Sequence, residues 1–233
     1  MKNILYEDEQ IIVAYKPAGI ATQTSRVGQQ DMVSELKNYL CEKSDKKGEP
    51  YLGLIHRLDQ PVSGLLVFAK TKSSAAALSV QINTDEIQKY YYAIVLGKPK
   101  AEQDVLVDYI YKDGRNNKSF IVREDFPEAK KAVLEYRRVK TLVALEENEE
   151  ASLLEIHLLT GRHHQIRAQL ANADMPILGD GKYGNIKSKS FSKDSACRNL
   201  ALCAYKLRFK HPITGEELTF EREPEDEIFA SFL

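Results

Sequence analysis

Short apolar runs separated by turn residues dominate the hydrophobic pattern of this chain. Residues 11–15 (IIVAY) indicate a strand, and the Pro and Gly of the following KPAG predict that it ends near Lys16. Residues 65–69 (LLVFA) have the length and continuous apolarity of a strand buried on both faces. The β-branched and aromatic run KYYYAIVLG (89–97) predicts another strand, which ends on a glycine.

The second half of the chain continues with strands in succession. The predicted strands are VLVDYIY and SFIVR around the turn KDGRNNK, then AVLEYRRV and ASLLEIHLL, and last a hairpin of AYKLRFK and LTF around HPITGEE. Because the strands mostly follow one another, the expected fold class is α+β with a mixed, largely antiparallel sheet flanked by helices. One domain over residues 1–233 is expected.

Three segments have helical spacing. The first follows an acidic N-cap at Asp31 and has its apolar face within residues 32–40, and polar KSDKKGEP closes it. The second is the Ala-rich segment 73–82, and the third is a short helix after TGR (160–162). The segment SKSFSKDSA (188–196) is expected to be a flexible loop.

Composition narrows the class of protein. An apolar content of 43% over 233 residues is ordinary for a folded domain, and no run approaches the roughly 18 apolar residues of a membrane span. The N-terminus turns acidic where a signal peptide needs an apolar segment, so a cytoplasmic location is expected. Cys41, Cys197 and Cys203 make an odd number without a CxxC pair, which disfavours a disulfide framework and a thiolate zinc site.

Charge is balanced over the chain but uneven along it. Lys and Arg total 33 against 34 Asp and Glu. Between residues 180 and 210, eight basic residues stand against Asp180 and Asp194, whereas residues 216–227 hold seven acids against Arg222 alone. The pattern fits either two solvated faces of opposite sign or a nucleic-acid contact on the basic side.

Three polar clusters adjoin predicted strand ends, where side chains can converge: HRLD (56–59), KYYY (89–92) and TGRHHQIRAQL (160–170). Asp59 stands at the mouth of a buried strand, and in extended chain Arg57 would point to the same side. A carboxylate at such a place needs a hydrogen-bonding or charged partner, and Arg162 or Arg167 could supply it. A structural ion pair and a catalytic acid remain alternatives on this reasoning.

Several chemistries lack their motifs. His157, His163 and His164 form no HxxxH pair, and adjacent histidines on a helix diverge by about 100°, so no metal is expected. Ser63 lacks the GxSxG elbow of a serine hydrolase. Neither GxGxxG nor a phosphate-binding Walker loop occurs, so no nucleotide cofactor is expected. Cofactor-free chemistry with a carboxylate remains.

The chain resembles the RluA-type pseudouridine synthases. The resemblance rests on HRLDQPVSGLLVFAKT, KYYYAIVLG, TGRHHQIRAQL and MPILGDGKYG in this order, with VAYKPAGI before them and LRFKHPITGEELTF after them, over roughly residues 8–225. It implies the catalytic fold of that family, with an active-site cleft across the sheet. The implied activity is isomerisation of a specific uridine to pseudouridine in ribosomal or transfer RNA, without metal or cofactor.

The resemblance also implies catalytic roles. Asp59 matches the catalytic aspartate, which acts as nucleophile or base; addition to C6, attack on C1′ and deprotonation at C2′ all remain open. Tyr91 matches the tyrosine that stacks on the target base and can take the C5 proton. Arg167 matches the arginine that pairs with the aspartate. A base inside a stem must be flipped out before such chemistry.

Substrate-binding positions follow from the same blocks. Lys16 sits in the KPAG block, His56 and Arg57 would shape the rim that faces RNA, and Arg162 and His163 would grip or fill the space that the flipped base leaves. Gln165 in the third block and Lys182 at the start of the basic stretch complete the set.

The chain departs from the family pattern at three positions, none of them catalytic. Val62 replaces a common Thr, Gln169 a usual His, and Cys203 the His of an expected LHA, which leaves substrate choice open. An N-terminal S4 module, which some relatives carry, is not expected, because the KPAG block begins at Lys16. A monomer is expected.

A rival hypothesis from another class is an RNA-binding protein that refolds RNA on the same scaffold without turnover. The presence of Asp59, Tyr91 and Arg167 together favours the enzyme.

Overall fold

The structure is a computed structural model that describes residues 3–24, 28–43, 48–143, 149–195 and 197–233. Its strands are β1 (Ile4–Glu7), β2 (Ile11–Lys16), β3 (Gly53–Leu54), β4 (Ser63–Ala69), β5 (Gln88–Leu96), β6 (Gln103–Asp113), β7 (Lys118–Val122), β8 (Lys130–Val143), β9 (Glu150–Leu158), β10 (Leu202–Lys210) and β11 (Glu217–Glu221). Its helices are α1 (Met32–Lys43), α2 (Lys72–Asn83), α3 (Gln165–Asn172), α4 (Ile186–Asp194) and α5 (Glu227–Ala230). The α+β class is confirmed.

The chain forms two compact units, one of Met1–Gln88 with Ala204–Glu223 and one of Lys89–Cys203 with Pro224–Leu233. In the first, the strand order is β1-β2-β4-β10, with β3 paired to β4 and β11 to β10. In the second, the order is β5-β9-β8-β6-β7. The pairings of β1–β2, β2–β4, β5–β9, β8–β9 and β6–β8 are antiparallel, as the succession of strands predicts. One domain over the whole chain stays a prediction.

The core of the first unit is built on β2 and β4. Every residue of both strands is buried, which confirms the prediction for LLVFA. The helix predicted after Asp31 is α1, and the Asp31 carboxylate accepts the N–H of Ser34 at 2.9 Å as an N-cap. Part of the polar segment expected to close this helix, residues 44–47, lies outside the described residues.

The expected flexible loop at 188–196 is wrong in its described part, because α4 covers Ile186–Asp194. Asn185 caps this helix by accepting the N–H of Ser188 at 2.8 Å. Ser188, Phe191 and Ser192 are buried on one side of it. The sequence shows no apolar helical spacing in this segment, because two of the buried positions, Ser188 and Ser192, are polar. Ala196 lies outside the described residues.

Two turns of the first unit are joined by a buried histidine. His211 follows β10, and its Nε2 lies 2.9 Å from Oδ2 of Asp8. Asp8 also accepts the N–H groups of Gln10 and Ile11 at 2.7 and 2.8 Å, which shapes the turn before β2. Thr214 donates its N–H to Nδ1 of His211 at 3.1 Å. The hairpin of β10 and β11 is therefore linked to the hairpin of β1 and β2, although the chain ends in α5 and not in the predicted hairpin.

None of the helices in the described part of the chain is long and apolar enough to cross a membrane.

Gly64 permits a close approach of β4 and β10. Its φ of +130° lies in a region that side chains rarely adopt, and a Cβ there would come within 2.4 Å of the carbonyl oxygen of Ala204. Backbone cannot yield as a flexible side chain can. A glycine is therefore needed directly after the turn that carries Asp59.

We expect Gly64→Ala to lower the free energy of unfolding by about 3 kcal/mol, because it adds both backbone strain and overlap with β10. Urea denaturation measures the change. Gly114→Ala is the matched control, since a Cβ at Gly114 meets nothing within 4 Å. Equal stability of the two variants would contradict the inference that position 64 needs a glycine.

Candidate active site

Asp59 lies in the loop between β3 and β4, in the first unit. Residues 55–59 have no regular secondary structure, and the carbonyl oxygen of Asp59 accepts the N–H of Val62 at 3.0 Å in the turn that follows. β4 starts at the next residue, Ser63. The Asp59 side chain is half-buried at the entrance of a fully buried strand, as the motif predicts.

The backbone on both sides of Asp59 is tied to the segment after β2. Thr22 Oγ1 accepts the N–H of Leu58 at 3.2 Å and donates to the carbonyl oxygen of Leu58 at 3.0 Å. The carbonyl oxygen of Gln60 accepts the N–H of Gly19 at 2.9 Å, and the Gln60 side chain donates to the carbonyl oxygen of Gly19 at 2.9 Å. Bonds to both neighbours hold the aspartate in place, as a reacting group requires.

Lys16 reinforces this loop from inside. Its side chain is fully buried, and Nζ donates to the carbonyl oxygens of Pro17, Ile20 and Gln60 at 3.0, 2.7 and 3.0 Å. An ammonium group has three donors, and a buried charge is tolerated only with such partners. The geometry favours a positioning role for Lys16 over the RNA contact expected from the sequence.

His56 and Arg57 differ in their surroundings. His56 is half-buried, and its Nε2 accepts the N–H of Val67 in β4 at 3.3 Å, so the ring secures the approach to the Asp59 turn. Arg57 is exposed. Of the two predicted rim residues, Arg57 has the accessibility that an RNA contact needs.

Tyr91 belongs to β5 in the second unit, where its side chain is almost fully buried opposite Ile156. Tyr90 lies across from His157 on the neighbouring strand, and the two rings stack with centroids 4.5 Å apart. Alternation along the strand therefore separates Tyr91 from Tyr90, as predicted.

Arg167 extends from α3 to Asp180. Its Nε and Nη2 each donate to one carboxylate oxygen of Asp180 at 2.8 Å, and both side chains are buried. Such a paired arrangement fixes the plane of the guanidinium group. A guanidinium has five N–H donors, so these two bonds do not preclude the pairing with Asp59 that the resemblance implies. That pairing joins residues of different units and stays a prediction.

The pKa of Asp180 lies below its ordinary value of 3.8. Burial by itself raises this pKa, but the hydrogen bonds and the charge of Arg167 lower it, and so do the backbone N–H groups of Tyr183 and Lys182. Both N–H groups reach Oδ1, at 3.0 and 2.9 Å. The carboxylate is therefore ionised at neutral pH.

Tyr183 connects this ion pair to β7. The Arg167 guanidinium carbon lies 5.0 Å from the centroid of the Tyr183 ring, within cation–π range. The hydroxyl oxygen accepts the N–H of Ser119 at 2.7 Å and lies 2.9 Å from Nδ1 of His164. Burial raises the pKa of Tyr183, so its hydroxyl stays protonated at neutral pH.

The start of α3 differs from expectation. The helix begins at Gln165, so both adjacent histidines, His163 and His164, precede its first residue. His164 adopts a left-handed backbone with φ 52°, and the rings of His163 and His164 stack 3.7 Å apart. The expected divergence of the two rings is wrong, because it assumed helical backbone. Within the described ranges, no three His, Cys, Asp or Glu side chains are grouped to hold a metal ion.

Gln165 is buried at the first position of α3. Its side-chain oxygen accepts from the Thr160 hydroxyl at 2.8 Å, and its amide donates to the carbonyl oxygen of Val133 at 3.1 Å and to Gln169 at 2.9 Å. Gln169 in turn donates to Asp108 of β6 at 2.8 Å. Both glutamines thus position α3 on the sheet, and this setting favours a structural role for Gln165.

Of the remaining predicted RNA contacts, Arg162 lies beside β8, and His163 and Lys182 lie beside the β6–β7 hairpin. Arg162 is exposed, and its Nε donates to the carbonyl oxygen of Lys131 at 2.9 Å. His163 Nε2 lies 3.1 Å from Oδ1 of Asn117, and Lys182 Nζ donates to the carbonyl oxygen of Asn117 at 2.6 Å. The loop before α3 and the loop after Asp180 therefore share one partner in the hairpin.

Sequence reasoning assigned no role to Thr22 beside Asp59, or to Asp180 and Tyr183 beside Arg167. A signal for the first two existed, because GDGKYG places an acid and a tyrosine three residues apart, directly after the apolar MPIL. No pattern marks Thr22, whose role depends on a contact 36 residues along the chain.

Comparison with known proteins identifies the family. The family model for RNA pseudouridylate synthases matches residues 10–172. The ribosomal large subunit pseudouridine synthase D of Zymomonas mobilis is 33% identical over 96% of this chain and 69% of its own length. The tRNA pseudouridine synthase C of Salmonella typhimurium is 30% identical over 95% of this chain and 85% of its own length.

A solved structure agrees with these relatives. The human RNA pseudouridylate synthase domain containing 4 protein superposes with a TM-score of 0.75, is 27% identical, and is matched over 98% of this chain and 90% of its own. The chain belongs to the RNA pseudouridylate synthase family. It is an RNA-modifying enzyme of the kind that the motif resemblance implied.

We expect Asp180→Asn to lower the free energy of unfolding by about 3 kcal/mol at pH 7, because Arg167 then keeps a buried charge without its counter-ion. The folded pKa of Asp180 is depressed, so its stabilisation is present above the unfolded value near 3.8 and is lost as the pH falls through the folded value. The difference from the unmodified protein should therefore shrink below pH 3.8. Urea denaturation over a pH series measures it.

Asp174→Asn is the matched control, since Asp174 is exposed and its left-handed backbone tolerates asparagine. A loss as large in the control as in Asp180→Asn would contradict the role of the ion pair.

Proposed function

We propose that Asp59, Tyr91 and Arg167 together convert one uridine of ribosomal or transfer RNA into pseudouridine. The observation that carries the proposal is the loop of Asp59, whose backbone is hydrogen-bonded at both neighbouring residues while the carboxylate itself stays partly accessible. A side chain that is held in place and can still be reached by substrate suits a reacting group. The curated relatives quoted above are named for ribosomal and for transfer RNA, which supports both as substrate classes.

The chemistry needs no outside reagent. The bond between N1 and C1′ breaks, the uracil turns, and a bond between C5 and C1′ forms, while C5 loses a proton and N1 gains one. Atoms and electrons balance within the nucleotide. A carboxylate can start this sequence as nucleophile or as base, and the proposal leaves both open.

Tyr91 and Arg167 have complementary parts in the proposal. A flipped-out base needs an aromatic surface, and the buried ring of Tyr91 is held rigidly in β5. Its hydroxyl is the proposed acceptor of the C5 proton. Asp180 and Tyr183 orient the guanidinium group of Arg167. In the proposal, its positive charge stabilises the negative charge of Asp59 as RNA displaces water.

Binding is assigned to the accessible members of the predicted set. Arg57 and Arg162 are exposed, and His163 and Lys182 are half-buried beside the hairpin. These residues are proposed to contact RNA, whereas Lys16, His56 and Gln165 are proposed to hold the scaffold. Action as a monomer in the cytoplasm is part of the same proposal.

We expect Asp59→Asn to reduce pseudouridine formation by about 1000-fold or more, because it removes the reacting carboxylate at nearly constant shape. RNA binding should change by less than about twofold, since phosphate contacts dominate affinity. Release of tritium from RNA labelled at uracil C5 measures turnover, and fluorescence anisotropy measures binding.

Asp85→Asn serves as the control, because Asp85 is exposed and has a left-handed backbone that asparagine tolerates. Parallel loss of turnover and binding in Asp59→Asn would mean that Asp59 is structural.

The target should be found by carbodiimide mapping of ribosomal and transfer RNA from cells that lack the gene. We expect one pseudouridine to disappear, to return with the unmodified gene, and to stay absent with Asp59→Asn. An unchanged map would contradict the proposed activity on these RNAs.

A further inference from the structure

The tip of the β6–β7 hairpin has a defined shape. Asp113 ends β6, and its carboxylate accepts the backbone N–H groups of Arg115 and Asn116 at 2.9 and 3.2 Å and the side-chain amide of Asn116 at 2.6 Å. Asn117 closes the turn with a left-handed φ of 47°. The acidic group of the turn is thereby engaged by the turn itself, and Lys112 and Arg115 extend from its surface as exposed cations.

Contacts to two loops hold this tip in place. His163, in the loop before α3, lies 3.1 Å from Oδ1 of Asn117 through Nε2 and 2.9 Å from the Ser119 hydroxyl through Nδ1. The Ser119 hydroxyl also donates to the carbonyl oxygen of His163 at 2.6 Å. From the second loop, Lys182 donates to the carbonyl oxygen of Asn117 at 2.6 Å. A hairpin that could otherwise swing is thus fastened at its end.

Lys118, next to the hairpin tip, and Arg167, the arginine proposed for catalysis, lie near the same tyrosine ring. The Lys118 ammonium lies 5.3 Å from the Tyr183 ring centroid, and the Arg167 guanidinium lies 5.0 Å from the same centroid. Both cations therefore contact one aromatic ring. The tip is thus linked to Arg167 through the Tyr183 ring, within the second unit.

We propose that this hairpin tip is an RNA-phosphate-binding surface, formed by Lys112, Arg115 and Lys118 with Arg162 and Lys182. The inference deepens the proposed function, on which its choice of RNA as ligand rests. The surface takes the phosphodiester backbone that flanks the target nucleotide. A hairpin backbone that is already held in place suits phosphate binding, because less conformational entropy is lost when RNA binds.

The position of the surface favours binding over a merely solvated face. A solvated face needs no fixed backbone, whereas contacts from His163, Lys182 and Tyr183 to Asn117 and Ser119 hold this hairpin in place. The net charge of the whole chain is −1, so local clusters must supply the attraction for a polyanion. Three cations within residues 112–118, against Asp113 alone, form such a cluster beside Arg167.

The test compares two double variants that each remove two exposed positive charges. Lys112→Gln with Arg115→Gln alters the tip. Lys98→Gln with Lys100→Gln is the control, placed before the opposite end of β6, where a ten-residue rise of about 3.3 Å per residue separates the sites by roughly 33 Å. Fluorescein-labelled bulk tRNA and bulk ribosomal RNA are the probes, and anisotropy is measured over a range of KCl concentrations.

We expect the tip variant to bind about tenfold more weakly near physiological salt and to lower the slope of log affinity against log salt by about 1 to 2. In turnover, the loss should appear in KM more than in kcat. The control should stay within about twofold of the unmodified protein in affinity and keep its turnover. Equal weakening by both variants, or none by either, would overturn the proposal.

The outcome separates this inference from the proposed function. If the unmodified protein forms pseudouridine and the tip variant binds like it, the tip surface is refuted and the activity stands. If no pseudouridine forms but the tip variant alone loses RNA affinity, the surface stands and the proposed activity fails. Thermal unfolding of both variants identifies any loss that is due to misfolding.

Discussion

The buried ammonium group of Lys16 is the interaction on which the arrangement around Asp59 depends. A charge without access to water must be compensated in full, and here three carbonyl oxygens from two chain segments converge on one nitrogen. The segment after β2 and the turn after Asp59 can therefore keep only one relative position. Thr22 adds a neutral contact on the other side of the aspartate. The position of the Asp59 backbone thus comes from hydrogen bonds between the side chains of Lys16 and Thr22 and the main chain.

The second unit uses another device for the same purpose. Arg167 is oriented by the carboxylate of Asp180 and by the aromatic ring of Tyr183. The Tyr183 hydroxyl in turn accepts the N–H of Ser119 in β7. A buried ion pair adds little stability over a well-packed apolar pair, so its value here is direction. The guanidinium is therefore already oriented in the folded protein, which lowers the cost of ordering it in the catalytic role proposed for it. The hairpin tip belongs to the same network through Asn117 and His163.

Recognition of a motif did not reveal what each of its members does. Lys16, Gln165 and Arg162 all lie in segments that resemble the family, yet the first two are buried and hydrogen-bonded inside the fold while the third is exposed. Burial separates those that can reach RNA from those that support the scaffold. Gln169, which stands where the family usually has a histidine, is also fully buried, and its amide donates to Asp108 of β6. That position therefore bears on helix placement.

The sequence alone determined strands β2 and β4 to β11, the first three helices, the α+β class, the family, and the place of Asp59 at the start of a buried strand, whereas it did not indicate β1, β3 or α5. Such features depend on local periodicity and on residues close in the chain, which a linear pattern records. Only the tertiary structure showed that Asp180 clamps Arg167, that Thr22 and Lys16 hold the Asp59 loop, and that polar residues 186–194 form a helix. These depend on partners far apart in sequence and on burial of polar groups. No periodicity encodes such partners, because each is chosen by the surroundings that the fold creates.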